Sequence, residues 1–402
     1  MPGEVMHAFR KTTDTVGNEA KTLPQRFFVS PEVFAEEEEK IFAKHWVLVG
    51  HQTQVAKAGD YFVQDVLPSP EGYGATGAGE SVIIVRDKGG EVRAFYNVCR
   101  HRGTRLCEEQ CGHAAAIQCP YHAWTYGLDG RLVGAPHMDE VRGFKREEYS
   151  LQPVSVGVWE GFIFVSLAKN PTPLEDWFAP LCGKFEPWNL GELRSARRVE
   201  YDVRANWKLM FENYSECYHC PGVHPMLSKI SPYDSAENDL AEGPFLGGFM
   251  RVNKGKSLTM SGEVCARGIV GTAEETKEQE HEQEKEGEGE RVFYYSIFPN
   301  MLLSLHPDYV MVHQLWPQSP DRTLILCDWL FHPDAFGRPE FKPEDAIEFW
   351  DVTNKQDWHV CELSQQGISS RAYEPGPYSS RESIPAAWDR EYLRRMARAP
   401  AV

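Results

Sequence analysis

The chain has 402 residues, a formal net charge of −17 and 42% hydrophobic residues, which is enough for about two domains with a sizeable core. The negative charge argues against sequence-independent nucleic-acid binding and against docking on an anionic membrane, because both need basic patches. No apolar signal-peptide core and no run of about 18 apolar residues occurs in the sequence. We therefore expect a cytoplasmic protein in a reducing compartment, where clustered Cys and His indicate a metal before a disulfide.

The N-terminal region is predicted to be an arm followed by a helix. Residues 1–22 have the composition of a loose arm. The segment PEVFAEEEEKIFAKHW, residues 31–46, predicts an amphipathic helix, because its apolar residues recur near helical spacing while its glutamates face outward. We treat residues 1–44 as an arm and helix that pack on the C-terminal domain.

Short β-rich runs follow Gly50. The segments GDYFVQDV, SVIIVRD, EVRAFYNV and GVWEGFIFVSL alternate with Gly and Pro turns, which is typical of an all-β domain. We place this domain at residues 45–168. It carries the stretch CRHRGTRLCEEQCGHAAAIQCPYHAWTY, residues 99–126, which holds four cysteines and three histidines in 28 positions.

The C-terminal part, residues 169–402, mixes helices and strands. ANWKLMFENYSECYHC predicts a helix, RVFYYSIFPNMLLSLHPDYVMVHQLWPQ and RTLILCDWLFHP predict strands, and KPEDAIEFWDVTNKQDWHVCELSQQG predicts a long helix that opens near Pro343 and ends at Gly367. The fold class is therefore α+β. Residues 272–290 are dominated by Glu without a large apolar residue, which predicts a mobile acidic surface loop; a regulatory or partner-binding lid is the alternative.

The Cys and His residues of the 99–126 stretch form two mixed pairs. Cys99 and His101 have C-x-H spacing, and Cys119 and His122 have C-x-x-H spacing. Two thiolates and two imidazoles suit one structural zinc ion. They also suit a [2Fe–2S] cluster with two thiolates on one iron and two imidazoles on the other, and two loops that each supply both residue types favour this arrangement.

The pattern C-R-H…C-P-Y-H-A-W resembles the Rieske motif of ring-hydroxylating, non-haem iron oxygenases. The resemblance implies that Cys99, His101, Cys119 and His122 bind a [2Fe–2S] cluster. Cys107 and Cys111 lie between the pairs but outside the pattern, so we interpret them as free thiols. Trp124 is expected to pack over the cluster loop and shield it.

A second candidate metal site lies in the C-terminal domain. Glu216, His219 and His224 have the spacing E-x-x-H-x-x-x-x-H. Glu216 and His219 would share a helix face, and Pro221 with Gly222 would break the helix and bring His224 back toward the same ion. Two His and one carboxylate form the facial triad of non-haem Fe(II) oxygenases, whereas the alternative is a helix with surface histidines.

This spacing also resembles the catalytic motif of the Rieske oxygenase family. The resemblance implies that Glu216 is not an iron ligand but bridges the catalytic His to a Rieske His of the neighbouring subunit. Many members have Asp at this position, and the longer Glu is similar to carnitine-type oxygenases. Asn213 matches a family Asn near the iron and is a candidate hydrogen-bonding residue; a structural amide is the alternative.

The third iron ligand is expected on the late helix, at either Asp351 or Asp357. In the family, the ligand Asp precedes a Glu by five residues and a Gln by eight. Asp357, followed by Glu362 and Gln365, has this spacing, so we favour Asp357 and keep Asp351 as the fallback.

The resemblance covers nearly the whole chain. It implies a β Rieske domain, then a catalytic domain with a curved antiparallel sheet flanked by helices. Electrons from NAD(P)H would arrive through a separate flavin-containing reductase or a ferredoxin, and the mononuclear Fe(II) would activate O₂. No G-x-G-x-x-G opens a βαβ unit, so this chain is expected to be the terminal oxygenase component. The resemblance also implies a homotrimer, because head-to-tail rings bring the two metal sites of neighbouring subunits together.

The substrate is indicated more weakly. The second domain is rich in aromatic side chains that could contribute to a quaternary ammonium cage, although most are expected in the core: Tyr201, Phe211, Tyr214, Tyr218, Tyr294, Tyr295, Phe298, Tyr309, His313 and Trp316. The chain resembles the branch that oxidises choline, glycine betaine, carnitine and proline betaine, which implies oxidative N-demethylation of a betaine. An aromatic-ring hydroxylating oxygenase, a Rieske electron carrier and a zinc-stabilised binding protein are the alternatives.

Overall fold

The computed structural model describes residues 9–11, 20–67, 79–266 and 290–397. It contains two compact units. Residues 38–183 form the first unit, and residues 1–37 together with 184–402 form the second. The boundary at Glu37 and Glu38 therefore falls inside the segment that was predicted as one helix.

Eighteen strands are present in the described residues. In chain order they are β1 (Arg10–Lys11), β2 (Val47–His51), β3 (Asp60–Leu67), β4 (Glu80–Arg86), β5 (Val92–Tyr96), β6 (Cys111–His113), β7 (Ile117–Gln118), β8 (Thr125–Tyr126), β9 (Leu132–Gly134), β10 (Ser155–Trp159), β11 (Phe162–Ser166), β12 (Arg194–Val203), β13 (Glu237–Leu240), β14 (Phe245–Val252), β15 (Glu290–Ile297), β16 (Met301–Leu305), β17 (Val310–Ser319) and β18 (Arg322–Phe331).

The α-helices of the described residues are fewer. They are α1 (Arg26–Val29), α2 (Pro31–Glu37), α3 (Leu174–Phe178), α4 (Trp207–Tyr214), α5 (Cys220–Val223), α6 (Leu227–Ile230), α7 (Pro343–Ile368) and α8 (Ser383–Ala397). A π-helical turn, Glu38–Phe42, continues α2.

The first unit is built from three small antiparallel sheets, with strand orders β5-β4-β3-β6, β7-β8-β9 and β10-β11-β2. The four segments predicted as strands all form strands here, and GVWEGFIFVSL forms the β10–β11 hairpin, in which Trp159 pairs with Phe162. The unit's core contains Cys99, Cys119 and Trp124 beside aliphatic side chains of β4. The 99–126 stretch is therefore built into the core rather than attached to its surface.

The second unit contains one eight-stranded antiparallel sheet of order β1-β13-β14-β15-β16-β17-β18-β12. The predicted strand segments form β15 to β18, as expected. Helix α7 packs against α4 and β12, and its Pro343 lies in the first turn, where the missing N–H costs nothing. The α+β fold class predicted from the sequence is confirmed.

A buried ion pair holds the base of α4. Lys208 donates to Glu37 at 2.6 Å. Both side chains are almost fully buried, so the prediction that the glutamates of this segment face outward is wrong for Glu37. Glu37 also accepts hydrogen bonds from the indole of Trp207 and the hydroxyl of Tyr392. Because removal of one partner would leave an uncompensated buried charge, we estimate its cost at about 3–5 kcal/mol. The start of α4, the helix that leads to the candidate iron-site residues, is thereby fixed.

Two predicted helices are shorter than expected. The helix predicted for residues 31–46 ends at Phe42, because the chain turns into β2 after Trp46, whose indole donates to the carbonyl of Thr172. The helix predicted for residues 205–220 ends at Tyr214. Glu216 therefore lies outside it.

The acidic segment predicted as a mobile loop needs one correction. Residues 272–289 lie outside the described residues, but Glu290 is the first residue of β15 and pairs with Val252. The strand thus begins one residue earlier than expected. In the part of the chain that the structure describes, no helix is long and apolar enough to cross a membrane.

Candidate metal centres

Two loops of the first unit present the predicted cluster residues in the same way. In the first loop the backbone N–H of Cys99 donates to Thr104 and that of Gly103 to Cys99. In the second, the N–H of Cys119 donates to Trp124 and that of Ala123 to Cys119. Gly103 and Ala123, each four residues after its Cys, both have a positive φ, 75° and 56°. A non-glycine residue in this conformation is strained, so the second loop is held by its surroundings.

The two thiols are buried, whereas the imidazole residues are more exposed. Cys99 and Cys119 are 2% and 3% exposed, whereas His101 lies at the surface and the ring centroids of His101 and His122 are 4.7 Å apart. His122 Nδ1 is buried and has no hydrogen-bond partner among the described residues. A buried imidazole nitrogen without a partner is costly, and a metal ion bound there would satisfy it. The four residues thus fit a [2Fe–2S] cluster.

Two aromatic residues support these loops. Trp124 stacks on His101 with ring centroids 4.7 Å apart and is 2% exposed, so it packs over the loop as predicted. Tyr126, which the sequence analysis did not single out, places its hydroxyl 3.4 Å from Cys99 Sγ and accepts from the N–H of Arg100. Hydrogen bonds to cluster sulfurs tune a reduction potential. Cys107 and Cys111 are free thiols, as expected.

The second site begins where α4 ends. After Tyr214 the carboxylate of Glu216 accepts the backbone N–H groups of Tyr218 and His219, a local pattern that competes with helix continuation. Pro221 was predicted to break the helix, and this prediction is wrong. Pro221 lies in the first turn of α5, where proline is favoured. The short α5 then places His224 at its C-terminal end, facing His219.

Three predicted ligands meet at one point. His224 Nε2 lies 2.8 Å from Asp357 Oδ1, His219 Nε2 lies 3.3 Å from the same oxygen, and the two Nε2 atoms are 3.2 Å apart. Two ligand bonds of about 2.1 Å that meet at a right angle place their donor atoms about 3 Å apart. The triangle therefore fits three ligands on one face of a metal ion, the arrangement used by non-haem Fe(II) oxygenases.

The second nitrogen of each imidazole has its own partner. His219 Nδ1 lies 2.5 Å from Glu216 Oε1, and His224 Nδ1 lies 2.8 Å from Gln356 Oε1. An oxygen acceptor at Nδ1 keeps the proton there and leaves Nε2 bare for a metal. The sequence analysis did not identify Gln356, because no sequence pattern marks this residue.

The electrostatics of the site favour a bound cation. Burial lowers the pKa of His219, but the carboxylates of Asp357 and Glu216 outweigh burial and raise this pKa to about 10. Burial raises the pKa of Asp357, yet hydrogen bonds from His219 and His224 hold it below its usual value. The carboxylate of Asp357, which stays ionised beside the imidazoles, provides the negative potential that a divalent cation needs.

The late helix is fixed so that Asp357, and not Asp351, reaches the site. The backbone N–H of Arg204 donates to Glu362 at 3.0 Å. That of Asn206 donates to Gln365, also at 3.0 Å. These two bonds hold α7 against the turn that starts α4, which gives a structural reason for the spacing in the sequence.

Asp351 and Asn213 have other positions. Asp351 accepts from the hydroxyl of Tyr201 at 2.9 Å and pairs with Lys355 at 2.6 Å, so it is engaged on another face of α7. Asn213 lines the cavity of the site, and its backbone carbonyl accepts the N–H of Glu216 at 3.4 Å.

A disulfide between Cys217 and Cys220 was also missed, although the C-x-x-C spacing was visible. Both residues line the cavity. Cys220 Sγ lies 4.0 Å from His219 Nε2, close enough to be considered as a metal ligand. Because a disulfide sulfur is not a thiolate, we favour Asp357 over Cys220 as the third ligand.

The cavity at this site has a volume of about 100 Å³. Four aromatic side chains line it: Tyr214, Phe249, Tyr294 and Trp350. Only the first and third belong to the aromatic set from the sequence. The remaining predicted aromatic candidates lie elsewhere, with Tyr218 exposed and the others in the core: Tyr201, Phe211, Tyr295, Phe298, Tyr309, His313 and Trp316.

Comparison with known families finds two matches in this chain. Residues 45–145 match the Rieske [2Fe-2S] domain. Residues 190–398 match the ring hydroxylating alpha subunit catalytic domain. The first match contains the two loops with Cys99 and Cys119, and the second contains His219, His224 and Asp357.

Curated relatives are similar over most of their length. The glycine betaine monooxygenase oxygenase subunit of Chromohalobacter salexigens is 33% identical over 89% of this chain and 82% of the relative. The carnitine monooxygenase oxygenase subunit of Escherichia coli K12 is 30% identical over 88% of this chain and 86% of the relative. The chloroplastic choline monooxygenase of Atriplex hortensis is 26% identical over 90% of this chain and 74% of the relative.

Solved structures have a similar fold. A quaternary ammonium Rieske monooxygenase, studied for carnitine oxidation and inter-subunit electron transfer, has a TM-score of 0.78 at 26% identity, over 97% of this chain and 100% of that chain. Naphthalene 1,2-dioxygenase from Rhodococcus has a TM-score of 0.75 at 20% identity, over 97% of each chain, and at that identity the likeness concerns the fold alone.

Proposed function

This chain belongs to the family of Rieske non-haem iron oxygenases, and from that premise we propose that it oxidises a small quaternary ammonium compound, most specifically by N-demethylation of a betaine. The family uses a [2Fe–2S] cluster and a mononuclear Fe(II), which when bound supplies O₂ activation. We assign Cys99, His101, Cys119 and His122 to the cluster. We assign His219, His224 and Asp357 to the mononuclear iron.

The lining of the iron-site cavity carries the substrate proposal. The ring of Tyr294 is T-shaped to that of Tyr214 at 6.1 Å and to that of Trp350 at 6.4 Å between centroids. A quaternary ammonium group is attracted to such ring faces by about 2 kcal/mol or more when desolvated. No Lys or Arg is among the described residues that line this cavity, and Glu216 and Asp357 add negative charge. The site thus favours a cation.

The reaction we propose consumes one O₂ and two electrons. One oxygen atom enters an N-methyl C–H bond and the other leaves as water, with two protons taken up. The hydroxymethyl ammonium product is a hemiaminal, which releases formaldehyde and a proton and leaves a tertiary amine. Two electrons come from a separate reductase or ferredoxin that draws on NAD(P)H, so a cytoplasmic location belongs to the same proposal.

Glu216 is proposed to couple the two metal sites. Its Oε1 lies 2.5 Å from His219 Nδ1, so it orients the imidazole and holds the proton on that nitrogen. It would also bridge to the cluster histidine of a neighbouring subunit. This role requires a homo-oligomer, for which we propose a head-to-tail trimer.

A substrate panel tests the proposal. The metal-loaded chain with a surrogate reductase is given glycine betaine, proline betaine, carnitine and choline, and then 3,3-dimethylbutanoate, in which carbon replaces the charged nitrogen, and benzoate. We expect O₂ uptake coupled to formaldehyde release with at least one methylammonium compound and little with the last two. Ring hydroxylation without response to any quaternary amine would favour the aromatic-ring alternative. A cluster that cycles without O₂ uptake would favour the electron carrier.

A further inference from the structure

Arg381 is a cation near the iron-site cavity that forms no ion pair with a described residue, although Asp234 and Glu216 line the same small cavity. It lies just before α8 and stands over the ring of Tyr233, with its guanidinium carbon 5.1 Å from the ring centroid. Within the described residues, its guanidinium makes no hydrogen bond and no ion pair. A partly buried guanidinium carries five donors in a rigid fork that suits a carboxylate, so this group is positioned to bind an anion.

Arg381 lines a second, smaller cavity of about 30 Å³, which has room for about one carboxylate group or one or two waters. This cavity and the iron-site cavity share part of their lining: Ser215, Glu216, Cys217, Ala236 and Asn238. Of all described residues that line either cavity, Arg381 is the one Lys or Arg. A ligand that carries both charges would thus meet aromatic faces in one cavity and a guanidinium in the next.

Asn238 connects the two cavities. Asn238 is part of β13, where its backbone pairs with Gly248. It also lines both cavities. A side-chain amide has two N–H donors, so it offers a neutral second partner to a carboxylate that lies between the cavities. Glu216 also lines both cavities, but its carboxylate accepts from His219 and from the backbone N–H of Tyr218. Asn238 is therefore the residue that can donate to a ligand carboxylate.

We propose that Arg381, together with Asn238, binds the carboxylate of a betaine whose trimethylammonium group lies in the iron-site cavity. This inference rests on the proposed function, and it names the residues that would favour a betaine over other quaternary ammonium compounds. Glycine betaine and choline have the same trimethylammonium head and chains of similar length, but only the first ends in a carboxylate. Charge-assisted bidentate hydrogen bonds are about twice as strong as neutral ones, so the enzyme prefers the betaine.

Calorimetric binding to the metal-loaded, full-length chain tests the inference. Glycine betaine, γ-butyrobetaine and choline are titrated into the wild type, Arg381→Gln, Arg381→Lys and the control Arg371→Gln, whose arginine is exposed in the turn after α7. We expect Arg381→Gln to raise the Kd of the carboxylate ligands about 10- to 100-fold, because one charged hydrogen-bonded pair is lost. The Kd of choline should not change. Arg381→Lys keeps the positive charge but lacks the forked guanidinium, so its Kd for the carboxylate ligands should lie between those of the wild type and Arg381→Gln.

The outcomes separate this inference from the proposed function. If Arg381→Gln keeps the wild-type Kd for the betaines, or weakens betaines and choline equally, Arg381 does not bind the carboxylate, while quaternary ammonium oxidation stands. If the wild type binds none of the three ligands and oxidises no methylammonium, both conclusions fall. An unchanged content of about three irons per chain, which includes the iron of the second unit, serves as the check of folding in each variant.

Discussion

In the first unit, four candidate ligands come from two loops inside one stretch, residues 99–126, whereas in the second unit the candidate ligands come from the turn after α4, the end of α5 and the middle of α7. His224 and Asp357 are 133 residues apart in sequence. The thiols of the first site are part of the unit's core. The second site lines a cavity. One site is therefore tied to the stability of its unit and the other to the substrate, and mutations should separate them.

The largest effect is expected for Cys119→Ser. Since the thiol is buried in the core beside Cys99, loss of the cluster should remove the link between two loops and lower the Tm of this unit by about 5 °C or more, and turnover should be lost. Visible absorbance, the rhombic EPR signal of the reduced cluster and calorimetry measure this. Cys111→Ser, at an exposed free thiol, is the control. A brown, EPR-active Cys119→Ser protein would show that the ligand assignment is wrong.

Asp357→Ala should abolish turnover without harming the cluster. The triangle of His219, His224 and Asp357 loses its one carboxylate, so iron content should fall from about three to about two atoms per chain. Asp351→Ala is the matched control on the same helix and should keep all the iron, because its contacts are with Tyr201 and Lys355. The reverse result would move the third ligand to Asp351.

Glu216→Gln should affect the connection between the sites and leave both metals in place. The amide oxygen of Gln still accepts from His219 Nδ1, so the imidazole stays oriented, but the negative charge is gone. We expect severely slowed reoxidation of the reduced cluster in the presence of substrate and O₂, measured by stopped-flow absorbance. Glu242→Gln, at an exposed residue, is the control. Normal turnover of Glu216→Gln would rule out the coupling role.

Gln356→Leu should weaken the iron site by a smaller amount. Without an acceptor at Nδ1, His224 loses the hydrogen bond that fixes its ring and tautomer, and partners of this kind contribute about 10- to 100-fold in metal affinity. Competition with an Fe(II) chelator measures the change. Gln366→Leu, exposed on the same helix, should behave as the wild type. Equal iron affinity in both variants would contradict the orienting role of Gln356.

Tyr126→Phe is the smallest change and concerns the first site only. Its hydroxyl lies 3.4 Å from Cys99 Sγ, and a hydrogen bond to a cluster sulfur favours the reduced, more negative state. Removing a bond worth about 1 kcal/mol should lower the one-electron potential by about 40 mV. Redox titration of the EPR signal tests this. A potential that stays constant or rises would show that the hydroxyl does not act on the cluster.

The local patterns predicted much of each unit. The β-rich runs and turn residues predicted nine of the strands, β3 to β5, β10, β11 and β15 to β18, but not the others. Pro343 with the apolar spacing after it predicted the long helix. The C-x-H and C-x-x-H pairs identified the first candidate site because all its ligands lie in two neighbouring loops. The helix predicted over residues 205–220 ends at Tyr214, because the carboxylate of Glu216 accepts hydrogen bonds from the backbone N–H groups that a longer helix would use.

The sequence by itself determined which residue types were available: two mixed Cys and His pairs, the E-x-x-H-x-x-x-x-H spacing, and Asp357 with Glu362 and Gln365 after it. Tertiary structure alone decided that α7 lies against the start of α4, so that Asp357 reaches two imidazoles. It likewise decided that Gln356 faces His224 and that Arg381 lies beside the cavity. Spacing along one element is set by its own geometry, whereas contacts between distant elements depend on how their buried surfaces pack.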